Sequence, residues 1–145
     1  MQWRIIAVGK PALPWAKQGI EDYQRRLGRV ASVDTIYVKD GTPDQVAERM
    51  WSASSGHKVL LDEHGKSFRS LELASWVEKR QLEGCKCVSL LIGGADGHGN
   101  AIRAAVKESW SLSSFTLQHE LAALVLMEQI YRAHTILRKE PYHRE

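Results

Sequence analysis

Short β-branched apolar runs alternate along this chain with stretches of helical periodicity, and that alternation leaves few folds open. Gln2 to Val8, Val33 to Val38, Lys58 to Asp62 and Cys87 to Ile92 read as strands. The last is the most strand-like, and it runs directly into Gly93-Gly94. Between strands, Trp15 to Leu27 places Trp15, Ile20, Tyr23 and Leu27 at roughly helical spacing, and Gly28 offers a stop. Thr42 and Pro43 supply a cap and a first helical residue for a second helix, which Gly56 closes. Ser70 to Glu83 is a third helix, with Leu73, Trp76, Val77 and Leu82 facing inward. Glu63-His64-Gly65 marks a polar turn, and Asn100 to Glu108 a short fourth helix. Leu112 to Leu117 is a further strand, and Gln118 to Leu137 one long helix. The pattern predicts an α/β fold with a parallel sheet flanked by helices, in one domain over residues 1–145.

The long helix carries two apolar stripes, Leu126, Ile130, Ala133 and Leu137 beside Leu124, Met127, Tyr131 and His134. Together they cover more than the ~100° arc that one sheet needs. Such a helix is either wedged between layers of its own domain or faces a second subunit, and a homodimer is the expectation. No apolar run approaches the ~18 residues of a membrane span, and Met1 to Lys10 lacks the layout of a signal peptide. A cytoplasmic protein with no membrane partner is expected. Cys85 and Cys87 cannot complete a zinc site alone and read as reduced structural thiols, so no metal is expected. The formal charge of +3 permits an anionic partner without demanding one. Arg4, Arg25, Arg26, Arg132 and Lys139 are candidate phosphate contacts, each equally readable as a solvated surface charge.

Three segments have the residue types that chemistry needs. Ile92-Gly93-Gly94-Ala95-Asp96-Gly97 is a strand end at which paired glycines let backbone approach a ligand, or simply a tight turn before a helix. Its spacing is neither the dinucleotide fingerprint nor a phosphate loop. Ser111-Leu-Ser-Ser-Phe-Thr-Leu117 interleaves hydroxyls with apolar side chains; it reads as an edge strand or as an apolar slot and backbone hydrogen bonds for a purine. The tail, Pro141-Tyr142-His143-Arg144-Glu145, packs stacking, proton-transfer and phosphate-binding side chains together where most chains merely fray. His57, His64, His98, His119 and His134 share no ligand spacing, and His134 reads as a core or interface residue.

Leu90-Leu-Ile-Gly-Gly-Ala-Asp-Gly97, Ser109 to Leu117, His119, Glu128-Gln-Ile-Tyr-Arg-Ala133 and the tail pentapeptide together resemble the large-subunit ribosomal RNA pseudouridine-N3 methyltransferases, the RlmH family of the SPOUT class. Ile6 to Lys10, Tyr23 to Leu27 and Leu60-Leu-Asp62 extend that resemblance along the whole chain. The resemblance implies a SPOUT-type sheet with a C-terminal trefoil knot, which no spacing argument would give because knots are nearly absent from proteins. It implies a bent S-adenosylmethionine held by Leu61, Gly93, Leu112, Ser113, Ser114, Phe115, Thr116 and Leu117. It implies a homodimer in which one subunit's tail reaches the other's site, with Tyr142, His143 and Arg144 as the catalytic set. The implied substrate is N3 of a pseudouridine in the helix 69 loop of large-subunit ribosomal RNA, in the assembled ribosome.

The chain departs from the family in three places. It is shorter between the second and third strands, Gln118 stands where members often have proline, and Ala95-Asp96-Gly97-His98-Gly99 replaces a proline- or serine-led turn. Competing functions are a SPOUT methyltransferase acting on transfer RNA or another ribosomal position, and a catalytically inert RNA-binding dimer. A mononucleotide-binding regulatory domain also fits the alternation but leaves the tail unexplained.

Overall fold

The computed structural model describes residues 1–144. Ten elements alternate: β1 (Gln2–Val8), α1 (Pro14–Leu27), β2 (Ser32–Val38), α2 (Pro43–Ala53), β3 (His57–Ser67), α3 (Ser70–Leu82), β4 (Cys87–Ile92), α4 (Asn100–Ala105), β5 (Glu108–Ser111) and α5 (His119–Leu137). The strands form one sheet in the order β2-β1-β4-β3-β5, and every pairing is parallel. The expected α/β architecture is therefore what the chain adopts. β4 lies at the centre, paired with β1 and β3. Helices cover both of its faces, which is why its sequence is an unbroken apolar run and not an alternation.

Alternate residues of the strands divide the core in two. Trp3, Ile5, Val59, Leu61, Val88 and Leu90 face α1, α3 and α5, where Ile20, Leu73, Val77, Leu126 and Ile130 meet them. Ile6, Leu60 and Leu91 face the other way, onto Met50 of α2 and Ile102 of α4. The chain starts α2 as its residues dictate. Thr42 Oγ1 accepts from the Gln45 backbone N–H at 3.2 Å, and the Gln45 side chain accepts from the Thr42 backbone N–H at 3.0 Å.

α5 runs between α1 and α3 against the sheet, and none of its residues is exposed. The wedge accounts, within a single chain, for the width of its apolar surface. Gly19 makes the close approach of α1 possible, because a Cβ there would lie 2.8 Å from Leu124 Cδ1. One polar pair sits inside this core: Trp3 Nε1 donates to His134 Nε2 at 2.9 Å.

Several sequence expectations need correction. Leu82 is 82% exposed, because α3 has turned its last residue away from the sheet. α4 stops at Ala105 and the fifth strand is Glu108–Ser111, so Leu112 to Leu117 is not a strand but the loop leaving it. The hydroxyl-rich pattern that looked like an edge strand is instead bonded locally: Ser111 Oγ donates to the Ser113 carbonyl at 3.0 Å, and the Phe115 N–H donates to Ser113 Oγ at 2.9 Å. Nor does β3 end in a turn at Glu63-His64-Gly65. It continues to Ser67 with a register shift on β5 between Leu61 and Lys66, and Gly65 passes so close to β5 that a Cβ would lie 2.6 Å from the Ser109 carbonyl carbon. No helix among the described residues is long and apolar enough to cross a membrane.

Candidate active site

One cavity of about 320 Å³ opens at the carboxyl ends of β4 and β5 and beside the middle of β3. Leu61, Asp62 and Glu63 of β3 form one wall, and Ile92 with the turn from Gly93 to His98 forms a second. Leu112, Ser113, Phe115, Thr116 and Leu117 form a third, while Arg103 of α4 and His119 and Ala122 of α5 complete the lining. The cavity lies over the β4-β3-β5 half of the sheet. Open parallel sheets bind ligands in the crevice that loops leave outside the carboxyl ends of their strands. Every expected cofactor residue but Ser114, which is exposed outside the lining, borders this space.

The glycine turn is shaped by its own backbone. Gly97 N–H donates to the Gly94 carbonyl at 2.9 Å, and Gly97 has φ +72°, a left-handed conformation that glycine adopts without penalty. A Cβ on Gly93 would meet the Gly97 carbonyl carbon at 2.9 Å. Gly93 is thus required first by the closure of the turn, and any side chain there would reshape the cavity wall. Polar bonds pin the turn to its neighbours. Arg103 pairs with Asp62, whose side chain is 8% exposed, and Arg103 Nε donates to the His98 carbonyl at 3.1 Å. His98 Nε2 lies 3.0 Å from the Leu91 carbonyl. Burial lowers the His98 pKa and Arg103 adds to that effect, outweighing the strand carbonyls that favour the charged ring. The imidazole is therefore neutral at physiological pH.

The helix start beneath the cavity is equally fixed. Gln118 Oε1 accepts from the Glu120 and Leu121 N–H groups at 2.8 and 2.9 Å, so Gln118 caps α5. The buried Glu120 carboxylate in turn accepts from the Ala12 and Leu13 N–H groups, at 2.6 and 3.1 Å, and ties the β1–α1 loop to α5.

Tyr142, His143 and Arg144 do not border the cavity. The tail folds onto the middle of α5 instead. Tyr142 OH donates to Glu128 Oε1 at 2.9 Å, and its ring packs edge-on against Tyr131 at 4.8 Å between centroids. With that proton committed, the 3.0 Å contact with Tyr23 OH has Tyr23 as donor. Burial, then these two bonds, push the Tyr142 phenol well above the ordinary tyrosine range. Arg132 donates twice to Glu128 Oε1, at 3.1 and 2.6 Å, and a third time to His143 Nδ1 at 3.2 Å. A guanidinium has only donors, so His143 Nδ1 is here an acceptor. Glu128 lies nine residues beyond the cavity residue His119, about 13 Å along the helix axis. Within one chain the cavity and the tail therefore lie apart. Among the described residues no group of three or more His, Cys, Asp or Glu side chains is arranged to hold a metal ion.

A family of sequences described as "Predicted SPOUT methyltransferase" matches residues 1–143. The chain belongs to the SPOUT methyltransferase family. Ribosomal RNA large subunit methyltransferase H of Thermus thermophilus is 42% identical over 99% of both chains, and that of Deinococcus radiodurans is 40% identical over 99% of both. This SPOUT chain therefore sits among the methyltransferases H. A crystal structure of a probable rRNA-methyltransferase from Porphyromonas gingivalis superposes with a TM-score of 0.51 at 11% identity, over 94% of this chain and 70% of that one; it shows a shared fold.

Sequence reasoning missed Asp62, Glu63, His98, Arg103 and His119 as cavity residues of this SPOUT domain. Asp62 and Glu63 were legible in principle, as carboxylates that directly follow the buried run Val59–Leu61 of β3. His98 and His119 share no ligand spacing, and only the fold brings both to one cavity. Arg103 carried no local signal; only the return of α4 across the strand ends places it there.

Proposed function

We propose that this protein is an S-adenosylmethionine-dependent ribosomal RNA methyltransferase that acts on N3 of a pseudouridine in the helix 69 loop of the large subunit. The observation that carries this is the end-to-end relationship to ribosomal RNA large subunit methyltransferases H, on a fold whose strand-end cavity fits the cofactor. A volume of about 320 Å³ lies within the ~300–1,000 Å³ of small-ligand pockets. Leu61, Leu112 and Leu117 offer the apolar surface a purine needs, and Ser113, Thr116 and the backbone of the glycine turn offer hydrogen bonds to a ribose or base edge. When bound there, S-adenosylmethionine supplies a methyl group on a sulfonium, already a strong electrophile.

The residues then have two tasks, to align donor with acceptor and to manage the N3 proton. The cavity residues named above, with Gly93 at the turn, hold and desolvate the donor; Ser114 lies outside that set. Tyr142 is the anchor of the tail, because both its hydroxyl and its ring are already engaged. Arg144 is exposed, and its guanidinium stabilises the imide anion as the proton leaves. His143 accepts that proton only once Arg132 releases its Nδ1.

Since one chain holds cavity and tail apart, the working site takes its cavity from one subunit and its tail from the other, in a homodimer. A C-terminal trefoil knot belongs to the same reading, as the resemblance to the SPOUT class implies. The enzyme works in the cytoplasm on the assembled ribosome, where Arg25, Arg26 and Lys139 supply phosphate contacts. Mass-spectrometric detection of methyl incorporation into ribosomes from a strain lacking the modification tests this directly. N3-methylpseudouridine in helix 69 is the expected product; a methyl group on transfer RNA or at another ribosomal position would move the substrate, and no methylation with intact RNA binding would leave the inert dimer.

A further inference from the structure

Resting on the cofactor assignment above, we infer that His98 is a ligand-reading residue of the cavity, whose Nδ1 accepts a hydrogen bond from an N–H or O–H group of the bound adenosyl compound. Three observations converge on it. His98 lines the cavity at the end of the glycine turn. Its Nε2 faces the Leu91 carbonyl at 3.0 Å, and a carbonyl can only accept, so Nε2 carries the proton and Nδ1 is left with a lone pair. The ring is only partly buried, the backbone groups that act on it are the carbonyls of Leu91 and Leu61, and no donor among the described residues takes up that lone pair.

The surroundings keep the ring in this state. Arg103 grips the His98 carbonyl at 3.1 Å while paired with Asp62, so the ring is held on both its backbone and its side-chain ends. Burial and the nearby guanidinium disfavour a second proton, which would turn the acceptor into a donor. Other polar side chains of the cavity are partly engaged with the protein: Asp62 pairs with Arg103, Thr116 donates to Glu63 and keeps only its acceptor capacity, and Ser113 accepts from the Phe115 N–H and keeps its own proton to donate. An adenosyl group brings several donors, its exocyclic amine and ribose hydroxyls, and a neutral imidazole nitrogen is a partner for one of them.

Two conservative variants separate this from a merely structural role. His98→Asn places an amide oxygen close to the position of Nδ1, whereas His98→Gln places an amide nitrogen close to that of Nε2 and preserves the bond to Leu91. Titration calorimetry with S-adenosylhomocysteine, alongside thermal unfolding, is the measurement. We expect His98→Gln to weaken binding roughly five- to tenfold, as the loss of one hydrogen bond does, while His98→Asn stays near wild type. The reverse order, or equal affinity for all three proteins, overturns the inference while leaving the cofactor assignment standing. A wild-type protein that gives no heat of binding overturns both.

Discussion

His134 is a titratable group inside the apolar core, with its Nε2 held by Trp3 and its ring edge-on to the indole. Burial, then the positive charges of the chain's amino terminus and Arg138, lowers its pKa to about 4. Between that value and the ordinary 6.5 the unfolded chain takes up a proton that the folded one refuses, so stability falls as the pH falls through this window. The contribution is whole above about pH 6.5, and its loss amounts to about 3 kcal/mol by about pH 4. Thermal unfolding across that range should show the slope in the wild type and a flatter profile in His134→Gln, which keeps an acceptor for Trp3 but does not titrate. Glu120 presents a second buried group with a defined load. Glu120→Ala strands the Ala12 and Leu13 N–H groups and should cost roughly 1–3 kcal/mol in denaturant unfolding. Gly93→Val forces the turn open against Gly97; calorimetry should find S-adenosylhomocysteine affinity lost, together with a lower unfolding temperature.

Elements were readable where one local rule acted alone. The Thr42-Pro43 start of α2 and the buried run of β4 follow from spacing and burial, and the structure places them as expected; the two stripes of α5 are covered as well, by α1 and α3 of the same chain. Reading failed where a neighbour decided the outcome. Gly65 looks like a turn until β5 lies against it and lets β3 continue. The alternation of Leu112 to Leu117 looks like a strand until Ser111 and Ser113 are seen satisfying the loop's own backbone. The tail is the element whose role is open to the cleanest test. A chain ending at Pro141 keeps every cavity residue, so it should bind S-adenosylhomocysteine as the full chain does and yet yield no methylated ribosomes. Loss of both properties would make Tyr142 a structural clasp for Tyr23 and Glu128 and nothing more.

At the scale of the molecule, the proposed dimer makes a single protomer incomplete. α5 carries the cavity floor at His119 and Ala122 and the tail dock at Glu128 and Arg132. Mixing two inactive proteins, Gly93→Val and the chain ending at Pro141, therefore has a definite outcome if subunits exchange. Mixed dimers unite the intact cavity of one with the intact tail of the other, and about a quarter of the wild-type activity should return under statistical pairing. A site completed within one chain would stay silent.

The lip of the cavity has a further consequence. Asp62 is buried and paired with Arg103, which leaves the carboxylates of Glu63 and Asp96 in the cavity lining, on a protein whose formal charge is +3. The net charge of the opening is thus opposite in sign to that of the chain as a whole. A sulfonium is drawn inward and a phosphodiester is held at the rim, so the two reactants the proposed reaction brings together are sorted by charge before either touches the site.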